Sequence, residues 1–267
     1  MSLISSPSNP KIRQVRQLRQ RKHRQESGLI VVEGILPVGE AVAAAPQGCH
    51  IEAIYYAPDL LSSEFALRLV QEQIQRGTAC YAVAAQVFEA IADKDNPQGI
   101  LAIARPRSYT LDGLNPGNFT WGVALVAAQD PGNIGAILRT IDAVGASGLL
   151  LLDPSADPYH PSAVRASMGT IFWYPLVQTS FTAFSAWAQR HAYHLSGASA
   201  RGDTDYRLSA GYSRPAVLLL GSEQKGLQPE HLATCEQVLR LPMQGRASSL
   251  NLAVAAGVLL YEMLKKP

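Results

Sequence analysis

The chain has 267 residues, 47% of them hydrophobic and 16% charged, with a net charge of +2. That is enough apolar surface for two packed domains of ordinary size and too little charge for a disordered chain. The longest apolar stretch, Leu250 to Leu264, is interrupted by Asn251 and Glu262. It falls short of the ~20 residues that a membrane span requires. Cys49, Cys80 and Cys235 are scattered, with no C-x-x-C pairing for zinc or redox chemistry, and the opening Met-Ser-Leu-Ile-Ser-Ser-Pro lacks the apolar core of a secretory signal. A cytosolic protein with reduced, buried thiols and no metal is expected.

The first 28 residues hold Lys11, Arg13, Arg16, Arg19, Arg21, Lys22 and Arg24 against Glu26 alone, so the amino end is strongly basic and the remainder acidic. Ile12, Val15 and Leu18 recur at helical spacing. One helix face can therefore dock while the seven basic side chains splay outward at a density suited to a phosphate backbone. A solvated helix face is the plainer alternative.

Short β-branched runs then alternate with amphipathic stretches. Strands are predicted at 29–32, 51–56, 79–83 and 100–104, and helices at 36–45, 63–76 and 85–92. Residues 105–118 gather Pro, Gly and turn-forming polar residues, which predicts a linker at 106–118 between a domain at 1–105 and another at 119–267. The second half restarts the alternation, with strands at 122–127, 148–152, 193–196, 216–220 and 237–241 and helices at 134–144, 163–168, 181–190 and 250–264. Strands as apolar as Val217-Leu-Leu-Leu220 belong to a parallel sheet covered on both faces.

Three segments carry chemistry. Asp130-Pro-Gly-Asn-Ile-Gly-Ala-Ile-Leu-Arg139 follows a buried strand, which places Asn133 at a helix start, where backbone N–H groups face anions, and Arg139 near two turns in. An Asp/Pro/Gly turn with a capping Asn and a surface Arg is the equal alternative. Gly221-Ser-Glu-Gln-Lys-Gly-Leu227 is not a phosphate loop, because Lys225 precedes the second glycine; what remains is a tight loop displaying Glu223 at a strand end. Leu241-Pro-Met-Gln-Gly-Arg-Ala-Ser-Ser-Leu-Asn251 runs into an apolar helix, with Ser248 or Ser249 as the expected N-cap. Asn251 enters that helix as a polar amide and requires a specific partner.

Taken in order, Asn133-x-Gly-Ala-x-x-Arg139, Gly221-Ser-Glu223 with Gly226-Leu227, and Leu241-Pro-Met243-x-Gly245 with Ser249-Leu-Asn251 resemble the three signatures of the SpoU/TrmH family. These are S-adenosylmethionine-dependent RNA ribose 2′-O-methyltransferases of the SPOUT superfamily. The stretch 158–169, Asn9-Pro-Lys11 and Val31-Val-Glu-Gly34 extend the resemblance over nearly the whole chain. Gln224 and Leu241 depart from residues common in the family, Gly and Ile, and neither removes a functional side chain.

The resemblance implies an α/β fold: a C-terminal parallel-sheet SPOUT domain with a trefoil knot, and a smaller N-terminal α/β RNA-binding domain. It implies that Gly221, Leu241, Met243, Ser249 and Leu250 hold S-adenosylmethionine. Asn133, Arg139, Glu223, Ser249 and Asn251 would carry the catalysis; the resemblance implies Arg139 as general base, while a guanidinium that is effectively always charged suits a phosphate anchor, and both roles stand as alternatives. It also implies a homodimer paired through the catalytic domain, and RNA as substrate, with ribosomal RNA favoured over tRNA. A non-catalytic RNA-binding or ribosome-assembly protein retaining the fold is the alternative, opposed by the presence of all five catalytic positions.

Overall fold

In a computed structural model, residues 3–93 and 95–265 are described. The chain divides into two compact units, Met1–Arg107 with Asp157–Trp173, and Ser108–Ala156 with Tyr174–Pro267.

The first unit opens with α1 (Pro10–Gln17), whose N-cap Asn9 accepts from the Lys11 amide and whose Ile12 and Val15 are buried. The single basic helix expected here is broken: Gln20 is extended, and a second helix, α2 (Arg21–Ser27), ends on left-handed Gly28. The break has a cause. The Arg24 guanidinium takes the Leu18 and Arg19 carbonyls, both at 2.7 Å, and these would otherwise have continued the helical ladder.

β1 (Ile30–Glu33), α3 (Ile35–Ala43), β2 (His50–Tyr56), α4 (Glu64–Gln75), β3 (Cys80–Ala82), α5 (Ala85–Glu89) and β4 (Ile100–Arg105) follow within a residue or two of the predicted bounds at most ends. The strands form a mixed sheet in the order β1-β4-β2-β3, parallel only between β2 and β3. Ile12, Val15 and Leu18 pack with Val31, Tyr55, Phe88, Leu101 and Ile103 in one core, as the helical spacing predicts.

In the second unit, β5 (Trp121–Val126), α6 (Pro131–Val144) and β6 (Leu149–Leu152) lead into α7 (Pro161–Ala166), which leaves this unit and packs with the first, against β1. The chain returns as β7 (Leu176–Thr179), α8 (Phe181–Arg190), β8 (His194–Ala198), β9 (Thr204–Asp205), β10 (Ala216–Leu220), α9 (Pro229–Leu232), β11 (Gln237–Arg240) and α10 (Leu252–Lys265). The seven strands lie in the order β7-β6-β5-β10-β8-β11-β9, and every pair is parallel, as the apolar runs of the central β6, β5 and β10 predict. β7 and β9 were not predicted; both are short edge strands, β9 of two residues.

Within the stretch 106–118, Leu114 is buried and its carbonyl accepts from the Trp187 indole N–H at 2.9 Å. From Ser108 onward this stretch is part of the second unit.

Parallel pairing gathers all strand carboxyl ends on one edge. Strand order reverses between β5 and β10: the chain runs outward from β5 to β6 and β7, then crosses to β8 and comes back to β10. Loops following β5 and β10 therefore adjoin at a topological switch point, where parallel α/β sheets bind ligands. α10 packs on α6 and on β10, which brings the segment before it to the same place.

One consequence of the fold concerns truncation. A chain beginning at Asn118 keeps Asp157–Trp173 but loses the β1 surface that α7 packs against. Ala163, Val164, Ile171 and Phe172, now buried, would face water. Limited trypsin digestion read by mass spectrometry is expected to cut the truncated chain first at Arg165 while the full chain resists there; equal resistance would show that the segment holds its shape alone.

Candidate active site

The β10 chain end turns sharply through Gly221, where a Cβ would fall inside the backbone of Gly226 and Leu227. The Gly226 amide donates to the Ser222 carbonyl at 2.8 Å and the Lys225 amide to Ser222 Oγ at 3.2 Å, closing the loop on itself. Gly221 is thus required by the loop's own path, whatever else it contacts.

This loop delivers Glu223 to the start of α6. Glu223 Oε2 accepts from the Gln129 amide at 3.1 Å; Oε1 accepts from the Asp130 amide at 3.3 Å and from Asn133 Nδ2 at 2.9 Å. Asn133, 6% exposed, accepts in turn at Oδ1 from Asn251 Nδ2 at 3.0 Å. Asn251 Oδ1 then accepts from the Ala253 and Val254 amides at 2.9 and 3.3 Å. Asn251 is therefore the N-cap of α10, not Ser248 or Ser249. Its expected partner is Asn133.

The polarity of this chain has one origin. An ionised carboxylate can only accept, so Asn133 must turn its amide N–H₂ toward Glu223 and its oxygen toward Asn251. Asn251 must then donate with nitrogen, which leaves its oxygen for the helix end. Burial pushes the Glu223 carboxyl upward, but the bonds from Asn133 and from the Gln129 and Asp130 amides outweigh it and hold the group below its usual range. It is an anion at neutral pH.

For the amino end of α6 the sequence offers two equal readings, N–H groups facing an anionic ligand or a capped Asp/Pro/Gly turn. Asp130 accepts from the Gly132 amide at 2.8 Å and Glu223 takes the Gln129 and Asp130 amides, so the turn is capped, by Asp130 rather than by Asn133.

Of the remaining predicted catalytic residues, Arg139 is exposed on α6 and makes no hydrogen bond or ion pair among the described residues. Six residues beyond Asn133, it lies about 120° away around the helix axis. Ser249 is exposed in the segment preceding Asn251 and is not joined to the network. Leu241 and Met243 are half-buried, Leu250 is 39% exposed, and no backbone amide of residues 243–250 donates to another backbone group among the described residues. Apolar side chains beside open backbone donors and acceptors suit a flat heterocycle with a hydrogen-bonding edge, so these residues fit the adenine of S-adenosylmethionine.

The basic set at the amino end divides. Arg24 is 5% exposed and paired through Nε and Nη2 with Asp157 Oδ2 at 2.9 and 2.6 Å. Arg19 is tied to Asp93 at 2.9 Å and to Glu33 at 3.6 Å. These two do not splay outward, because each has an acidic partner that the local sequence does not reveal. Lys11 lies 3.9 Å over the Tyr81 ring, while Arg13, Arg16, Arg21 and Lys22 are exposed. Sequence reasoning also missed the Gln129 and Asp130 amides, which no side-chain pattern encodes.

The SpoU rRNA Methylase family matches residues 121–261, and the MRM3-like substrate binding domain matches residues 9–102. A 23S rRNA (uridine(2479)-2′-O)-methyltransferase from Streptomyces viridochromogenes is 32% identical over 254 residues, covering 91% of this chain and 85% of that one. A 23S rRNA (guanosine(2553)-2′-O)-methyltransferase from Bacillus subtilis is 26% identical over 264 residues, covering 98% and 99%. The crystal structure of an AdoMet-bound rRNA methyltransferase from Sinorhizobium meliloti superposes with a TM-score of 0.87 at 34% identity, covering 99% of this chain and 97% of that one.

The depressed Glu223 carboxyl fixes the sign of its pH effect. Its stabilisation is complete above the ordinary carboxylate range and is lost as pH falls through its lower folded-state value. Glu223→Gln is expected to be less stable than the wild type at pH 7 and to lose less stability between pH 7 and about pH 3, measured by urea denaturation at each pH. Parallel losses in the two proteins would detach Glu223 from acid sensitivity.

Proposed function

This chain belongs to the SpoU rRNA Methylase family, and on that premise we propose how its residues transfer a methyl group from S-adenosylmethionine to a ribose 2′-hydroxyl of RNA, with 23S ribosomal RNA ahead of tRNA as substrate. The observation that carries this reading is the Glu223–Asn133–Asn251 chain of bonds at the sheet's switch point, which draws all three sequence signatures into one site. The two named relatives act on a uridine and on a guanosine. Their shared chemistry is at the ribose, which every nucleotide carries, so choice of target falls to residues away from the reacting atoms.

When bound, S-adenosylmethionine supplies an electrophilic methyl group on a sulfonium centre. Leu241, Met243 and Leu250 would wall its adenine, with Gly221, Ser249 and the open backbone of 243–250 supplying the polar contacts. Arg139, always protonated, binds the substrate phosphate and stabilises charge developing on the ribose oxygen as the O–CH3 bond forms, the S–CH3 bond breaks to leave a neutral thioether, and the hydroxyl proton passes to solvent water. Asn133 and Asn251, oriented by the Glu223 anion, fix the start of α10 and with it Ser249 and Leu250. Holding nucleophile and methyl group in line is worth several kcal/mol of barrier.

Functionally, the first unit chooses the RNA and the second, which takes in the stretch from Ser108, catalyses, with the family's trefoil knot where the segment before α10 returns to the sheet. Arg13, Arg16, Arg21 and Lys22 grip phosphates, with Arg19 and Arg24 excluded by their ion pairs. A cytosolic setting goes with ribosomal RNA as substrate. Among the described residues no helix is long and apolar enough to cross a membrane.

Transfer of labelled methyl to RNA from cells lacking the gene tests the activity. Ribosomal RNA is expected to be labelled at a ribose 2′-oxygen, tRNA far less. Arg139→Ala should abolish labelling while S-adenosylmethionine affinity stays within about threefold, and Arg139→Lys should fail nearly as badly because an ammonium lacks the planar fork. Near-normal turnover by either variant would remove Arg139 from the mechanism.

We further read the enzyme as a homodimer. α10 buries Leu252, Ala256, Leu259, Leu260 and Met263, yet Val254 (52%), Val258, Tyr261 (50%) and Leu264 are exposed along another face. A second subunit covers a helix that is apolar on two sides. Sedimentation equilibrium at micromolar concentration is expected to give twice 28.7 kDa, and Tyr261→Glu to return the mass to that of one chain. A monomeric wild type would end this reading.

A further inference from the structure

Two neighbouring strands of the parallel sheet end in the same way. β5 and β6 are in register at their last residues, Val126 and Leu152, and the residue after each is left-handed, Ala127 at φ +50° and Asp153 at φ +56°. A Cβ disfavours that conformation, so each turn persists only where its surroundings hold it. Ala127 opens the short segment whose Gln129 and Asp130 amides bind Glu223, which makes its restraint a matter for the site.

The turn after β6 supplies that restraint. The Leu152 carbonyl accepts from the Ala127 amide at 3.0 Å and from Ser155 Oγ at 3.1 Å, so one oxygen ties the two turns together. Ser155 is 7% exposed. Asp153 is held from the other side: its amide donates to the Thr179 carbonyl at 2.9 Å, and its Oδ1 accepts from the Phe181 amide at 2.9 Å. The Phe181 amide is among those that a helix start leaves without an intrahelical partner, and α8 fixes its place by burying Phe184, Trp187 and Ala188. Between Asp153 and Ser155, the ring of Pro154 sets its own φ. From residues so constrained the chain delivers the Ala156 amide to the Ala128 carbonyl at 2.7 Å. Ala128 is 1% exposed and directly precedes the two amides that hold Glu223. Every residue on this path belongs to the second unit.

We propose that Asp153 and Ser155 are positioning residues for methyl transfer: they set the turn after β6 so that Ala156 holds Ala128, and so keep the Gln129 and Asp130 amides aimed at Glu223. The assignment rests on the methyltransferase reading above. Asp153 serves as a hydrogen-bond acceptor and as a residue type that tolerates the left-handed region; its charge is not used. Asparagine shares both properties and alanine has neither. Neither side chain touches substrate or cofactor in this scheme.

The test compares Asp153→Ala, Asp153→Asn and Ser155→Ala with the wild type, using the full chain. Hydrogen–deuterium exchange is followed in the peptide covering residues 127–133, and kcat and KM are measured on unmethylated ribosomal RNA. Asp153→Ala and Ser155→Ala are expected to speed exchange in 127–133 and to lower kcat by about tenfold, with KM for RNA within about twofold. Asp153→Asn should stay close to the wild type in all three. Unchanged exchange in 127–133 in both alanine variants overturns the proposal. A loss in Asp153→Asn as deep as in Asp153→Ala also overturns it, because the charge would then matter; so does a rise in KM at unchanged kcat, which would make these side chains RNA contacts. Faster exchange spread evenly through β5, β10 and α6 counts equally against it, since the turn would then serve the fold alone. A wild type that methylates no RNA overturns the enzymatic reading, and the exchange data, which need no turnover, then decide separately whether Asp153 and Ser155 hold the turn.

Discussion

A single carboxylate orders the catalytic half of this chain. Glu223, ionised at neutral pH, is an acceptor that cannot donate. That restriction propagates through two side-chain amides and ends as the cap of α10, so an electrostatic fact at one loop becomes a geometric fact about a helix that starts 29 residues later. Replacing Glu223 or Asn251 by an apolar residue of similar size would leave the buried Asn133 amide short of a partner, at about 1–3 kcal/mol. The site loops depend on this chain more than on regular secondary structure, since residues 243–250 form no backbone ladder among the described residues.

The sheet makes that arrangement possible. Only adjacent parallel strands whose connections depart in opposite directions leave a crevice at their carboxyl ends, and β5 and β10 are that pair. Packing of α10 on α6 closes the third side. Residues 133, 223 and 251, remote in sequence, meet because three loops share one sheet edge and one helix pair, and the motif spacing records where each loop must fall.

Much of this was legible beforehand because it is locally encoded. Runs such as Val217-Leu-Leu-Leu220 declare buried parallel strands, and Ile12, Val15 and Leu18 declare a docked helix face. Asn251 in an apolar helix declares the need for a partner. What stayed hidden depends on distant groups. Arg24 looks like its neighbours until Asp157, 133 residues away, is brought beside it. Ser248, Ser249 and Asn251 are all competent caps by residue type, and Asn133 alone decides among them. The left-handed Ala127 has no compositional mark, and β9 is too short to generate periodicity.

The excursion of Asp157–Trp173 also bears on how the protein is made. The surface of β1 is present once Glu33 has left the ribosome, yet the α7 residues that cover it, and the carboxylate that neutralises Arg24, come more than 120 residues later. Local contacts let most of the first unit assemble early, but its last layer waits for Trp173. Vectorial synthesis therefore leaves an open apolar face and a guanidinium without its carboxylate on the nascent chain for several seconds at ~5–20 residues per second. Because the closing segment is flanked on both sides by strands of the other sheet, the amino-terminal half is completed only when the second is already under construction.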